Sequence, residues 1–205
     1  MPVAKRNAES KTKATADFTR LDPPADISSI IHCIRLHGDD LVGCELGVFQ
    51  AISFCAVLQA CPNIKTMHGV DSWQPYSDYL KPDYDGKPAY TVSRSDIRKV
   101  RRWAFEHIER SGQQHKAVIH EKDSTDALAD FKAASLDFIF IDTYMDYDQA
   151  RSDLQAWYPK VKKGGIFAGH DWDSDRIQRA VNDFRRDSRI TRPMSTFDNT
   201  WIWFK

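Results

Sequence analysis

The sequence predicts an α/β protein built on a mostly parallel sheet with helices on both faces. Two observations carry this. Short runs of near-continuous apolar residues recur along the chain: LVGCEL (41–46), IKTMHGV (64–70), HKAVIH (115–120), LDFIFI (136–141) and GGIFAGH (164–170). Segments with helical spacing separate them. Strands that are apolar on both faces and alternate with helices belong to a parallel sheet buried between two helical layers.

Taken in order, Asp26 stands as a cap before the helical stretch ISSIIHCIRLHG. The first strand, LVGCEL, runs into a single glycine, Gly47, and another helical segment follows almost at once. In SDIRKVRRWAFEHIERSG, residues Ile97, Val100, Ala104 and Ile108 share one helical face. Tyr147, Ala150, Leu154 and Trp157 do the same in DYDQARSDLQAWYPK, with Asp146 as a cap. A further helix, capped by Ser174 or Asp175, turns Ile177, Ala180, Val181 and Phe184 inward. The chain closes on NTWIWFK, where Trp201 and Trp203 alternate with strand period in a final hairpin and pack into the core.

Two segments stand outside this pattern. Residues 1–24 are polar and basic and end in a double proline, so they are expected to form a disordered tail before a single domain over 25–205. Residues 73–94 are rich in aromatic residues and proline; so long a connection is either a substrate lid or wall, or a surface insertion. Trp73, Tyr76, Tyr79, Tyr84 and Tyr90 are the candidate acceptor wall.

With 29 basic and 29 acidic residues, the chain has no net field to favour nucleic acid or membrane. The cluster RKVRRW reads as a solvated helix face. Its four cysteines form no C-x-x-C pair and are expected as free thiols, three of them in apolar segments. No apolar run is long enough to span a bilayer and no secretion signal opens the sequence, so the expected location is cytoplasmic.

In an open parallel sheet, ligands lie beyond the carboxyl ends of the strands, where strand order reverses. Glu45, Gly47, Asp71, Asp142 and Asp171 all fall at or just after such ends. The glycines with which a dinucleotide fold cradles a pyrophosphate are absent, and Glu45 at the turn is expected to repel phosphate. Such a site suits a ligand with a cationic end and no phosphate, such as S-adenosylmethionine. Gly47 would admit its methionine portion, and Asp71 is placed either to hold the ribose hydroxyls or to cap a turn. Asp123 and Ser124 would cap the next helix, and a residue there is also in position to meet the adenine amino group.

Five segments, in order, carry a resemblance: ELGVFQAIS, GVDSW, LDFIFIDTYMDY, WYPKVKKGG and GHDW. Over roughly residues 40–205 the chain resembles class I S-adenosylmethionine-dependent methyltransferases with a short E-x-G first motif. That branch includes sugar O-methyltransferases and cephalosporin-hydroxylase-like proteins. The resemblance implies a Rossmann-like, doubly wound, mostly parallel seven-stranded sheet with an antiparallel C-terminal hairpin. It implies O-methyl transfer to a hydroxyl on a small-molecule acceptor. Glu45, Gly47, Asp71, Asp123, Ser124 and Asp142 would bind cofactor, and His170, Asp171 and Asp142 would be catalytic.

Two positions depart from the family pattern. Ala51 replaces the second glycine of the first motif, which is expected to be a minor change. Met145 replaces a histidine near the reaction centre, and methionine is neither base nor polar contact. The proton then falls to His170, whose ordinary pKa is near neutral, or to an aspartate, unless the acceptor needs no base. His170 reads equally as a core histidine bonded to Asp171 or backbone. A cofactor-binding regulator without turnover is the alternative. Asp142 and Asp171, with Asp146 or Asp173, raise the question of a divalent ion such as magnesium; the reading favours none, since Asp146 serves as a cap and two carboxylates are few for a hard cation.

Overall fold

A computed structural model describes residues 25–74, 94–143 and 146–205. The tail 1–24, most of the aromatic segment (75–93) and Met145 lie outside the described residues. The strands are β1 (Leu41–Leu46), β2 (Ile64–Val70), β3 (Ala117–His120), β4 (Leu136–Ile141), β5 (Val161–Gly169), β6 (Ser195–Phe197) and β7 (Thr200–Phe204). They form one sheet in the order β3-β2-β1-β4-β5-β7-β6. The first five are mutually parallel; β7 runs antiparallel to both β5 and β6. Strand order reverses between β1 and β4, so a crevice is left there at the carboxyl ends.

Helices α1 (Ser28–Leu36), α2 (Ile52–Ala60), α3 (Arg94–Arg110), α4 (Ser124–Ala127), α5 (Tyr147–Trp157) and α6 (Asp175–Asp187) connect the strands. Two cores result. One lies under α1, α2 and α3, where Phe54, Val57, Ala104 and Ile108 meet Met67, Phe138 and Ile166. The other lies under α5 and α6, where Leu154, Trp157, Val181 and Phe184 meet Leu46, Ile139 and Phe167. Because α2 is walled on nearly all sides it needs no polar face, and Phe54, Cys55, Ala56, Val57 and Leu58 are all buried.

The expected inward faces of α3, α5 and α6 are the observed ones, save that Tyr147 on α5 is only partly buried. Trp201 and Trp203 stack on each other, with ring centroids 5.1 Å apart, against Phe167 in the second core. Asp198 and Asn199 both take positive φ, the conformation a tight hairpin needs, and join β6 to β7. All four cysteines are free, three of them buried. Among the described residues no helix is long and apolar enough to cross a membrane.

Asp26 does not cap α1. A short 3-10 turn, Ala25–Ile27, precedes that helix, Ile27 occupies the cap position, and the Asp26 carboxylate reaches His170 instead. Ser174 stands at the cap position of α6 without a capping side-chain bond, whereas Asp146 does cap α5 by accepting from the Gln149 N–H.

Gly43 faces Phe138 across the β1–β4 pair, and a Cβ at that glycine would lie 1.9 Å from the Phe138 ring. Gly43→Ala is expected to cost roughly 1–3 kcal/mol of stability by overpacking. Urea unfolding monitored by circular dichroism checks this; an unchanged midpoint would show that the ring has room to yield.

Candidate functional site

The crevice is built by backbone. The residue after each strand donates its N–H to the last carbonyl of a neighbour: Asp71 to His120, Gly47 to Val70, Asp142 to Leu46, and His170 to Ile141. These four bonds, 2.8–3.2 Å long, extend the sheet one step past its strands. They set Asp71, Gly47, Asp142 and His170 side by side although the four are far apart in sequence.

The turn after β1 is tightly folded. Gly47, Phe49 and Ala51 all have positive φ, and a Cβ on Gly47 would sit 2.0 Å from the Asp142 carbonyl oxygen. Glycine is therefore demanded by the neighbouring strand as well as by its own dihedrals. Ala51, at φ 60°, shows that the departure from glycine is not minor: a left-handed alanine stores backbone strain just before α2. Asp71 clasps this turn to its own loop. One carboxylate oxygen accepts from Phe49 N–H and the other from Trp73 N–H, both at 2.8 Å. Burial pushes the Asp71 pKa up, and the backbone donors oppose that. Trp73 is buried against Phe105 and donates its indole N–H to the Phe49 carbonyl, so it braces the turn and is not an exposed acceptor wall.

Glu45 also differs from its expected place. Its side chain is fully buried beneath the turn, with Ser53 donating to one carboxyl oxygen at 2.5 Å and the other lacking a partner. Burial holds its pKa well above the usual carboxylate range, reinforced by Asp142 and Asp71. Its carboxyl faces Ser53 beneath the turn and not the cavity, so it is not placed to turn phosphate away. The charged lining comes from other residues.

A cavity of about 330 Å³ opens above these strand ends. Gly47, Asp71, Asp123, Ser124, Asp142 and Asp171 lie together on its wall; Glu45 is behind that wall. Phe49, Ile52, Val70 and Ile97 supply apolar surface. Lys122 is the cation among the described lining residues, and Asp130 holds its ammonium at 2.7–2.8 Å.

Asp123 occupies the cap position of α4 without a capping side-chain bond, and Ser124 does not cap either. The Ser124 hydroxyl donates instead to Asp153 at 2.6 Å, and Gln149 reaches the other Asp153 oxygen at 3.3 Å. Asp153, on α5, is only 1% exposed yet lines the cavity. Sequence reasoning missed it, although a signal was present: with Ala150, Leu154 and Trp157 it forms the buried face of the helix, where an acid needs a reason.

At the other end, His170 is bracketed by three carboxylates. Its Nδ1 lies 3.2 Å from Asp171 and 3.5 Å from Asp142, and its Nε2 lies 3.1 Å from Asp26. Asp171 foremost, then Asp142 and Asp26, push its pKa up to about 9 against the effect of burial. His170 thus holds its proton to higher pH than an ordinary imidazole, which makes it a weaker candidate for the base than its ordinary pKa suggests. Burial pushes Asp142 up to about 6, with His170 restraining the rise. One atom each from Asp142, His170 and Asp171 lies within 4.8 Å of the others, a spacing that fits one cation. A cation there would have to displace the His170 proton.

Residues 44–172, more than half of the chain, match the family model described as a methyltransferase domain. No curated protein matches the sequence. Among solved structures, the O-methyltransferase TomG from Streptomyces achromogenes, in complex with SAM, is 14% identical with a TM-score of 0.59, over 90% of this chain and 82% of its own. The O-methyltransferase NovP is 21% identical with a TM-score of 0.59, over 88% and 79%. The precorrin-6y C5,15-methyltransferase from Geobacter metallireducens is 14% identical with a TM-score of 0.57, over 86% and 77%. At these identities the structural likeness establishes the fold.

His170 holds its proton more tightly in the folded chain than in the unfolded one. Its contribution to stability is full below the unfolded value near pH 6.5 and is lost as pH rises through about 9. The stability difference between wild type and His170→Gln is therefore expected to shrink between pH 6.5 and 9. Guanidinium unfolding with a chelator present measures it; a constant difference would mean that His170 is not held charged.

Proposed function

The chain belongs to the methyltransferase-domain family, and from that premise we propose that it is an S-adenosylmethionine-dependent methyltransferase acting on a small-molecule hydroxyl. Residues 25–205 form the catalytic domain in this reading. The observation that carries it is the cavity itself. Its wall presents Asp71, Asp123, Asp142, Asp153 and Asp171, and its one described cation is already paired. A phosphorylated nucleotide has little to bind there, whereas a nucleoside with hydroxyls, amino groups and a cationic sulfur offers donors and positive charge throughout.

The donor set fits this cofactor. Asp71 keeps lone pairs beyond those used by Phe49 and Trp73, and these suit ribose hydroxyls. Gly47 lets backbone approach the methionine portion. Asp123 and Ser124, on the same wall, are the proposed contacts of the adenine edge. When bound, S-adenosylmethionine supplies a methyl group on a positively charged sulfur. The protein's part is to hold the acceptor in line with it and to take one proton, and much of the acceleration comes from positioning.

Asp142 is the proposed base. It lines the cavity, and a carboxylate raised to about 6 is both ionised near neutral pH and basic enough to accept the acceptor proton. His170, charged, keeps Asp142 ionised and aligned, and Asp171 faces the acceptor beside it. Should a divalent ion occupy Asp142, His170 and Asp171, it would lower the pKa of an acceptor hydroxyl held there. The likeness to TomG and NovP supports oxygen as the methylated atom, while the precorrin enzyme shows that the fold also serves another acceptor chemistry. A small molecule suits this acidic cavity better than a nucleic acid, and the four free thiols accord with a reducing cytoplasm.

Incubation with isotopically labelled S-adenosylmethionine and a panel of hydroxylated acceptors, followed by assay of the demethylated cofactor, tests the reading. Binding without turnover on any acceptor would favour a non-catalytic cofactor-binding protein. Asp142→Asn is expected to lower turnover roughly 100-fold or more while leaving affinity for S-adenosylhomocysteine within a few-fold. An equal loss of both would make Asp142 a binding residue and not the base.

A further inference from the structure

We propose that Asp153 is a specificity-determining residue, which acts through Ser124 to make the cavity select a 6-amino purine over a 6-oxo purine. The inference rests on the S-adenosylmethionine reading and sharpens it. A serine hydroxyl has one proton and two lone pairs, and its rotation normally lets it donate or accept as a ligand requires. Here that freedom is removed. Ser124 Oγ donates to Asp153 Oδ1 at 2.6 Å, so the Ser124 proton is committed to that carboxyl; burial raises the Asp153 pKa, and the bonds from Ser124 and Gln149 oppose the rise. The other oxygen, Oδ2, accepts from Gln149 Nε2 at 3.3 Å, which fixes the carboxylate plane.

With its proton taken, Ser124 faces the cavity as an acceptor alone. A ligand group beside it must bring a donor. The exocyclic amino group of adenine does; the carbonyl of hypoxanthine or guanine sets lone pair against lone pair. Burial makes the device effective. Asp153 is 1% exposed and accepts from Ser124 on α4 across to α5, so water has little access to its carboxyl to loosen that bond. Burial also explains why an acid is placed there: a neutral side chain at 153 would release the Ser124 hydroxyl to rotate and accommodate either base.

S-inosylhomocysteine, which carries the 6-oxo group in place of the 6-amino group of S-adenosylhomocysteine, is the probe. Calorimetry on the full chain is expected to show S-adenosylhomocysteine binding roughly 10-fold or more tightly, the scale of one unsatisfied polar contact. Equal affinity in the wild type overturns the inference and leaves the cofactor reading standing; failure of both ligands to bind removes both. In Asp153→Ala the preference is expected to fall toward unity, while in Ser124→Ala the same Asp153→Ala change should move it no further. A preference that survives Asp153→Ala, or that shifts equally in the Ser124→Ala background, would show that Asp153 does not act through the serine. The wild-type ratio is decisive even if Asp153→Ala fails to fold.

Discussion

Four backbone hydrogen bonds past the ends of five parallel strands govern this site. They run from Asp71 to His120, Gly47 to Val70, Asp142 to Leu46 and His170 to Ile141. Each locks the first residue of a loop to the last residue of the adjacent strand. Loops are ordinarily the least constrained part of an α/β fold. Here the first residue of each inherits the register of the sheet, and the side chains that matter for chemistry lie at those positions. The Gly47 turn is part of the same constraint, because its backbone passes too close to the Asp142 carbonyl to admit any side chain.

Around that row, the protein sorts its acids by environment. Glu45 is wholly buried and held by Ser53, and burial raises its pKa. Asp71 is spent in part on clasping two loops together. Asp153 fixes a serine, and Asp142 shares His170 with Asp171 and Asp26. The acids reach one rim together, yet they are not interchangeable. What each contributes depends on which donors surround it and on how much water it keeps.

Much of this was legible in the chain. Continuous apolar runs give the strands, and a polar residue where such a run stops is placed at a strand end by the run itself. That is why Gly47, Asp71, Asp142 and Asp171 could be marked as one rim from a single sequence. Elsewhere the same reasoning went astray. Asp26, ahead of a helical stretch, reads as a cap but crosses to His170, and its backbone carbonyl accepts from Thr200, so a partner distant in sequence outcompetes the local one. Trp73, first of an aromatic run, reads as part of an acceptor wall but turns inward against Phe105.

The sequence by itself determined the layered parallel architecture, the position of the switch-point crevice and the acids Asp71, Asp142 and Asp171 that the strand ends bring to it. All three follow from hydrophobic period and strand termination, which are local properties. Only the tertiary structure decided which of those acids face the cavity, which is buried beneath it, and that three carboxylates gather around His170 and raise its pKa. The physical reason is that pKa and hydrogen-bond commitment are set by desolvation and by groups brought from distant parts of the chain, such as Asp26 against His170 and Asp153 against Ser124.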